Sequence, residues 1–235
     1  NALSANAASD NIAIGNDAGD ALTTGVRNIG IGVSALSTQS TAGYNTAIGW
    51  HSLQLNTTGQ EHVAVGQNSL ASNTTGTQNT ALGGGALQNN TTGSANTAVG
   101  RDALIANTTA SNNTAVGFDA LNSNTTGAQN TAVGYNALTA NTTGSYNTTC
   151  GYLNLYAVTD GSYNTGIGWA ALYATTTSDN NTALGYQAGS ALTTGNSCTL
   201  IGSFAGDALT TGSNCTVVGQ GALTVATTAS NNTAI

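Results

Sequence analysis

NTAVGYNALTANTTGSY, residues 130–146, stands between NTAVGFDALNSNTTGAQ (113–129) and NTTCGYLNLYAVTDGSY (147–163), blocks of the same length and the same pattern. Aligned on its leading Asn, the unit begins at Asn11 and its thirteenth full copy at Cys215, every copy seventeen residues long with no insertion or deletion. A fixed period of this kind has to be read before any local propensity, because it marks a repeat architecture. The consensus is N-T-A-V-G-x-x-A-L-x-x-N-T-T-G-x-x; position 5 is Gly in every copy from Gly15 to Gly219, and position 4 is apolar in every copy.

Helix pairs do not fit so short a unit when Gly and Asn-Thr interrupt it, while Thr, Val and Ile favour strands. Strands of four or five residues joined by Gly turns remain, and a coil length that tolerates no indel makes each unit one rung of a parallel β-solenoid. Rungs about 4.8 Å apart would pile thirteen copies into a rod of roughly 60 Å. The fold class expected is all-β: a β-solenoid, or β-roll, of thirteen coils over 11–231, preceded by a partial coil at 1–10 and followed by the start of another at 232–235. No polar cap is visible at either end, which predicts either a slice of a longer array or head-to-tail stacking of copies.

Alternation assigns faces within the unit. Position 4 is expected to face the core, and the small residues at position 3 imply close approach by another backbone, a neighbouring subunit being one candidate. Leu at position 9 is the second core column. Three units carry Gly19, Gly189 and Gly206 there instead, and the same three place Leu22, Leu192 and Leu209 at position 12, so that core volume is conserved.

Composition narrows the function. Charged residues are 5 % of the chain and the net charge is −7, with Arg27 and Arg101 the only Lys or Arg. That excludes the basic footprint nucleic-acid binding needs. No apolar run reaches membrane-spanning length and no signal peptide is visible, so membrane insertion is not expected. Three Cys and two His, scattered, lack metal-ligand spacing, and no cofactor motif occurs.

The repeat lines up four groups that could do more than fold. Phe118, Tyr135, Tyr152, Trp169 and Tyr186 occupy position 6 of consecutive units and predict an aromatic ladder, for a ligand or for a seam between subunits. Cys198 and Cys215 share position 1 of adjacent rungs, about 5 Å apart if the rungs stack, a separation that suits a disulfide. Asn56, Asn73, Asn90, Asn107, Asn124 and Asn141 head Asn-Thr-Thr sequons and are N-glycosylation candidates, though a structural amide ladder is the simpler reading of a copied column. Asp102 and Asp119 share position 7, but with no general base or nucleophile nearby they read as turn charges.

The run NTAVGxxALxxNTTGxxNTAVG resembles the Ala-Ile-Gly repeats in the heads of trimeric autotransporter adhesins and, more closely, the Thr- and Asn-rich repeats of phage tail fibres and related surface fibres. The resemblance covers nearly the whole chain and rests on the Ala-Val-Gly or Ala-Ile-Gly core at positions 3–5. It implies a left-handed parallel β-roll, a homotrimer, serving as a stalk or adhesive head. The expected role is a structural fibre protein at a cell or virion surface, partnered by further copies of itself and not an enzyme. The alternatives are a glycan-binding adhesin module and an ice-binding solenoid. For the last, the Thr columns at positions 13 and 14 are sequence neighbours, so only one of the two can face out along a strand.

Overall fold

The structure, a computed structural model, describes residues 9–235. The partial coil expected at 1–10 lies outside them apart from its last two residues. The chain falls into two compact units, the first ending at Phe118 and the second starting at Asp119. Both are parallel β-solenoids of seventeen-residue coils, and no helix occurs among the described residues, so none is long and apolar enough to cross a membrane.

Each rung contributes one strand at positions 2–4. In the first unit these are β1 (Ile12–Ile14), β2 (Ile29–Ile31), β3 (Thr46–Ile48), β4 (Val63–Val65), β5 (Thr80–Leu82), β6 (Thr97–Val99) and β7 (Thr114–Val116). In the second they are β8 (Thr131–Val133), β9 (Thr148–Cys150), β10 (Thr165–Ile167), β11 (Thr182–Leu184), β12 (Thr199–Ile201), β13 (Thr216–Val218) and β14 (Thr233–Ala234). Within each unit every strand pairs in parallel with the next, and each residue faces its own copy one rung on: Thr80 opposite Thr97, Ala81 opposite Ala98, Leu82 opposite Val99. The remainder of the coil is turn, yet its backbone also bonds from rung to rung. Position 9 donates ahead (Leu70 N to Ala86 O, 3.0 Å), as does position 13 (Thr74 N to Thr91 O, 2.9 Å), while position 17 donates back (Gln78 N to Gln60 O, 2.9 Å).

The strand faces are the reverse of the sequence expectation. Position 3 is the buried one, with Ala47, Ala64, Ala81 and Ala98 fully enclosed, whereas position 4 looks outward, with Ile48 and Leu184 exposed. The reason is the thinness of the coil. A Cβ on Gly30, a position-3 residue, would lie 3.4 Å from both Ala35 O and Leu36 Cδ1, so the opposite wall of the same rung leaves room for little more than a methyl group. Small residues at position 3 therefore mark the chain's own far wall and not a second subunit.

Leu at position 9 is the core column as expected; Leu53, Leu70, Leu87 and Leu104 are completely buried. They hold left-handed backbone, with φ of 49° at Leu53 and 51° at Leu70. That conformation costs a non-Gly residue roughly 1–2 kcal/mol, against about 1.5–3 kcal/mol gained by fully burying a Leu side chain, so burial decides. Gly19, Gly189 and Gly206 relieve the strain in three rungs, and Leu22, Leu192 and Leu209 are buried there in compensation. Leu200, at the position usually held by Ala, completes the fill: a Cβ on Gly206 would come 2.9 Å from its Cδ2.

Gly at position 5 has two independent causes. Its φ lies between 127° and 142°, a region closed to side chains, and the next rung sits where a Cβ would be. On Gly66 that Cβ would fall 2.6 Å from the carbonyl carbon and oxygen of Gly83. Gly66→Ala is expected to destabilise the fold by about 2–4 kcal/mol, strain and overpacking combined, read as a lower urea midpoint; an unchanged midpoint would contradict the close stacking.

Candidate functional site

The side chains that carry specificity in this molecule form columns along the stacking direction. The most continuous is the Asn at position 1. Its Oδ1 accepts the N–H of the same position one rung on, and its Nδ2 donates to the position-15 carbonyl of its own rung. Asn79, fully buried, accepts from Asn96 N at 2.9 Å and donates to Gly93 O at 2.8 Å. Asn147 in the second unit does the same with Asn164 N (2.9 Å) and Gly161 O (2.8 Å).

His62 takes this place in one rung and reproduces both bonds. Its Nδ1 accepts from Asn79 N at 3.2 Å and its Nε2–H donates to Gly76 O at 2.8 Å, which fixes the tautomer. Burial lowers its pKa from 6.5 to about 4, the two backbone hydrogen bonds opposing the shift only in part. The unfolded chain therefore binds more protons than the folded one between these values. Stability supplied by neutral His62 is fully present above pH 6.5 and is lost as pH falls to about 4, by about 3 kcal/mol in all. His62→Asn is expected to remove that difference, seen by comparing urea midpoints of the two proteins at pH 7 and pH 4.5.

Cys198 and Cys215 hold the same position, and the disulfide expected of them is not formed: both are free and buried. Each thiol replaces the amide donor, Cys198 Sγ to Gly212 O at 3.4 Å and Cys215 Sγ to Ala229 O at 3.3 Å. Burial pushes the Cys198 thiol above its ordinary pKa, which keeps it protonated as that donor needs. Cys150 occupies position 4, the column expected to face the core, and is instead exposed on the outward face of β9.

The sequon asparagines form a second ladder. Asn56, Asn73, Asn90 and Asn107 are completely buried in the first unit, as are Asn124 and Asn141 in the second. Asn73 Nδ2 donates to Asn56 Oδ1 (2.9 Å) and Gly76 O (3.1 Å), and Asn90 repeats the pattern onto Asn73 Oδ1 (2.8 Å) and Gly93 O (3.0 Å). An amide nitrogen enclosed in this way has no room for a glycan, so N-glycosylation of these six is incompatible with the fold. The ladder ends where Val158 follows Asn141, and Asn141 Oδ1 is left without a partner.

The aromatic side chains cluster in the second unit. Tyr135, Tyr152, Trp169 and Tyr186 stack in sequence with centroids 5.2, 6.0 and 4.9 Å apart and planes within 11°. Phe204 closes the row edge-on at 5.1 Å, a continuation hidden in sequence because it sits at position 7 instead of 6. Two shorter stacks run beside it, Tyr146 on Tyr163 (4.8 Å) and Tyr156 on Tyr173 (5.3 Å). Phe118, the last residue of the first unit, lies under the Arg101 guanidinium at 5.8 Å, and Arg27 covers Tyr44 in the same manner at 5.5 Å. Between the Trp169 and Tyr173 rows is a groove of about 310 Å³, with Gln187 and Ser190 at its polar side.

The carboxylates do not build a site. Asp102 pairs with the neighbouring Arg101 at 3.1 Å, and Asp119 accepts from Asn122 Nδ2 at 3.0 Å. Among the described residues no group of three His, Cys, Asp or Glu is placed to hold a metal ion. No family model matches the chain, and neither a curated protein nor a solved structure is significantly similar to it.

Proposed function

We propose that this chain is a structural, non-enzymatic element of an extracellular fibre, carried on a cell or virion surface and assembled with further copies of itself. The observation that supports it is the direction of the bonding. Amide ladders, position-13 hydroxyls and stacked rings all tie one rung to the next, so side-chain chemistry is spent on axial cohesion. Thr74 Oγ1 to Thr91 O and Thr91 Oγ1 to Thr108 O, both 3.0 Å, are typical of the hydroxyl column. Light scattering and negative-stain micrographs of the purified chain over a range of concentrations test the assembly. Fibres or oligomers that grow with concentration are expected, and short monomers at every concentration would overturn it.

A second reading, recognition of surface glycans, is favoured by the groove between Trp169 and Tyr173. Inside each stack the rings turn their faces to one another and present edges to solvent. At this groove a sugar would meet two rings from different rows, beside the hydrogen-bonding groups of Gln187 and Ser190. Binding on a glycan array that is lost in Trp169→Ala with Tyr173→Ala is the expected result; no binding by the parent protein would dismiss it.

A further inference from the structure

The outward face of the strands has no role in the ladders described above. In strands β8 to β13 the middle residue is buried and the two flanking ones, positions 2 and 4, are partly or well exposed. In the second unit position 2 is Thr in every strand: Thr131, Thr148, Thr165, Thr182, Thr199 and Thr216 lead to Thr233. Position 4 beside them is apolar, with Val133, Ile167 and Leu184 exposed, and no charged residue occurs at either position in any rung.

Two Thr columns in this unit behave differently. At position 13, Thr125, Thr142, Thr193 and Thr210 donate their hydroxyls to the carbonyl of the next rung at 2.9–3.0 Å. At position 2 the hydroxyls of Thr131 through Thr216 meet no protein partner among the described residues. Their hydroxyls are open to solvent water as donor and acceptor. The parallel register fixes the spacing at about 4.8 Å from one hydroxyl to the next, with an apolar side chain roughly 6.6 Å away along each strand.

That spacing matches a particular form of water. Tetrahedral water with O···O contacts of about 2.75 Å places second-neighbour oxygens about 4.5 Å apart, within a few tenths of an ångström of the rung spacing. Holding one ordered water costs about 0–2 kcal/mol. A rigid row of hydroxyls beside methyl groups, with no charge to reorient the layer, lowers that cost at every rung and repeats the gain along the column.

We propose that the strand face of the second unit binds ice, its Thr hydroxyls entering the lattice of the first water layer and its Val, Ile and Leu side chains filling the spaces between. This surface is separate from the aromatic groove, and the proposal stands or falls independently of fibre assembly.

The test is ice-recrystallisation inhibition and thermal hysteresis of the full chain, with Thr165→Tyr plus Thr182→Tyr as the disrupting pair. The parent protein is expected to arrest grain growth. The pair is expected to raise the concentration required by about tenfold or more, equivalent to about 1.4 kcal/mol of binding. Thr148→Lys plus Thr199→Lys, whose long side chains stay in solvent, supplies a second disrupted face should the Tyr pair not fold. Tyr135→Ala, in the aromatic row, is expected to leave the activity unchanged. Absence of any effect on ice by the parent protein, or full activity in a disrupting pair that retains the parent circular dichroism, would overturn the proposal.

Discussion

The structure depends on one constraint: a buried side-chain amide must find its acceptor in its own coil and its donor in the next. Asn79 meets this with Gly93 O in its own rung and Asn96 N in the next. Both partners lie at the correct offset only if every coil has the same length. A buried polar group left without its partner costs about 1–3 kcal/mol, and a residue inserted into one coil would displace the position-1, position-12 and position-13 columns together. The indel-free period is thus a hydrogen-bonding requirement before it is a packing one. The Gly positions follow from it, because rungs close enough for these bonds leave no space for a Cβ between the backbones of Gly66 and Gly83.

Within that frame the interior is a compromise between backbone strain and volume. Position 9 must turn left-handed to send its N–H to the next rung, and Leu tolerates this because the coil has no other large apolar group to fill it. Where Gly removes the strain, the volume returns from elsewhere, through Leu192, Leu200 and Leu209. The ninth rung departs furthest from the pattern. Buried Thr149 and Asn154 each keep an oxygen without a partner there, and Gly166 in the following rung makes room for the Asn154 side chain.

The solenoid, its register and the Leu exchange between positions 9 and 12 were legible from the repeat alone, because period and volume conservation are properties of columns. The direction of the strand was not. Val or Ile at position 4 reads as core by hydropathy, and only the distance to Leu36 across the coil reveals that Ala at position 3 is the inward residue. The same limit applied to chemistry. Cys198 and Cys215 were correctly placed one rung apart, but sequence spacing could not show that each thiol has a carbonyl to bond in place of its neighbour. Phe204 escaped because the aromatic row shifts by one position, and the sequon Asn residues were ambiguous until their burial was known.

The equivalence of His62, Asn79 and Cys198 at one position bears on how such a chain can change through time. At position 1 the coils offer their neighbours equivalent donors and acceptors, so unequal crossing-over between repeats in the coding DNA adds or deletes an entire coil while leaving that hydrogen-bonding column in phase. Length is then the trait most open to variation between descendants. Single-residue insertions, which break phase, are the changes that purifying selection must remove.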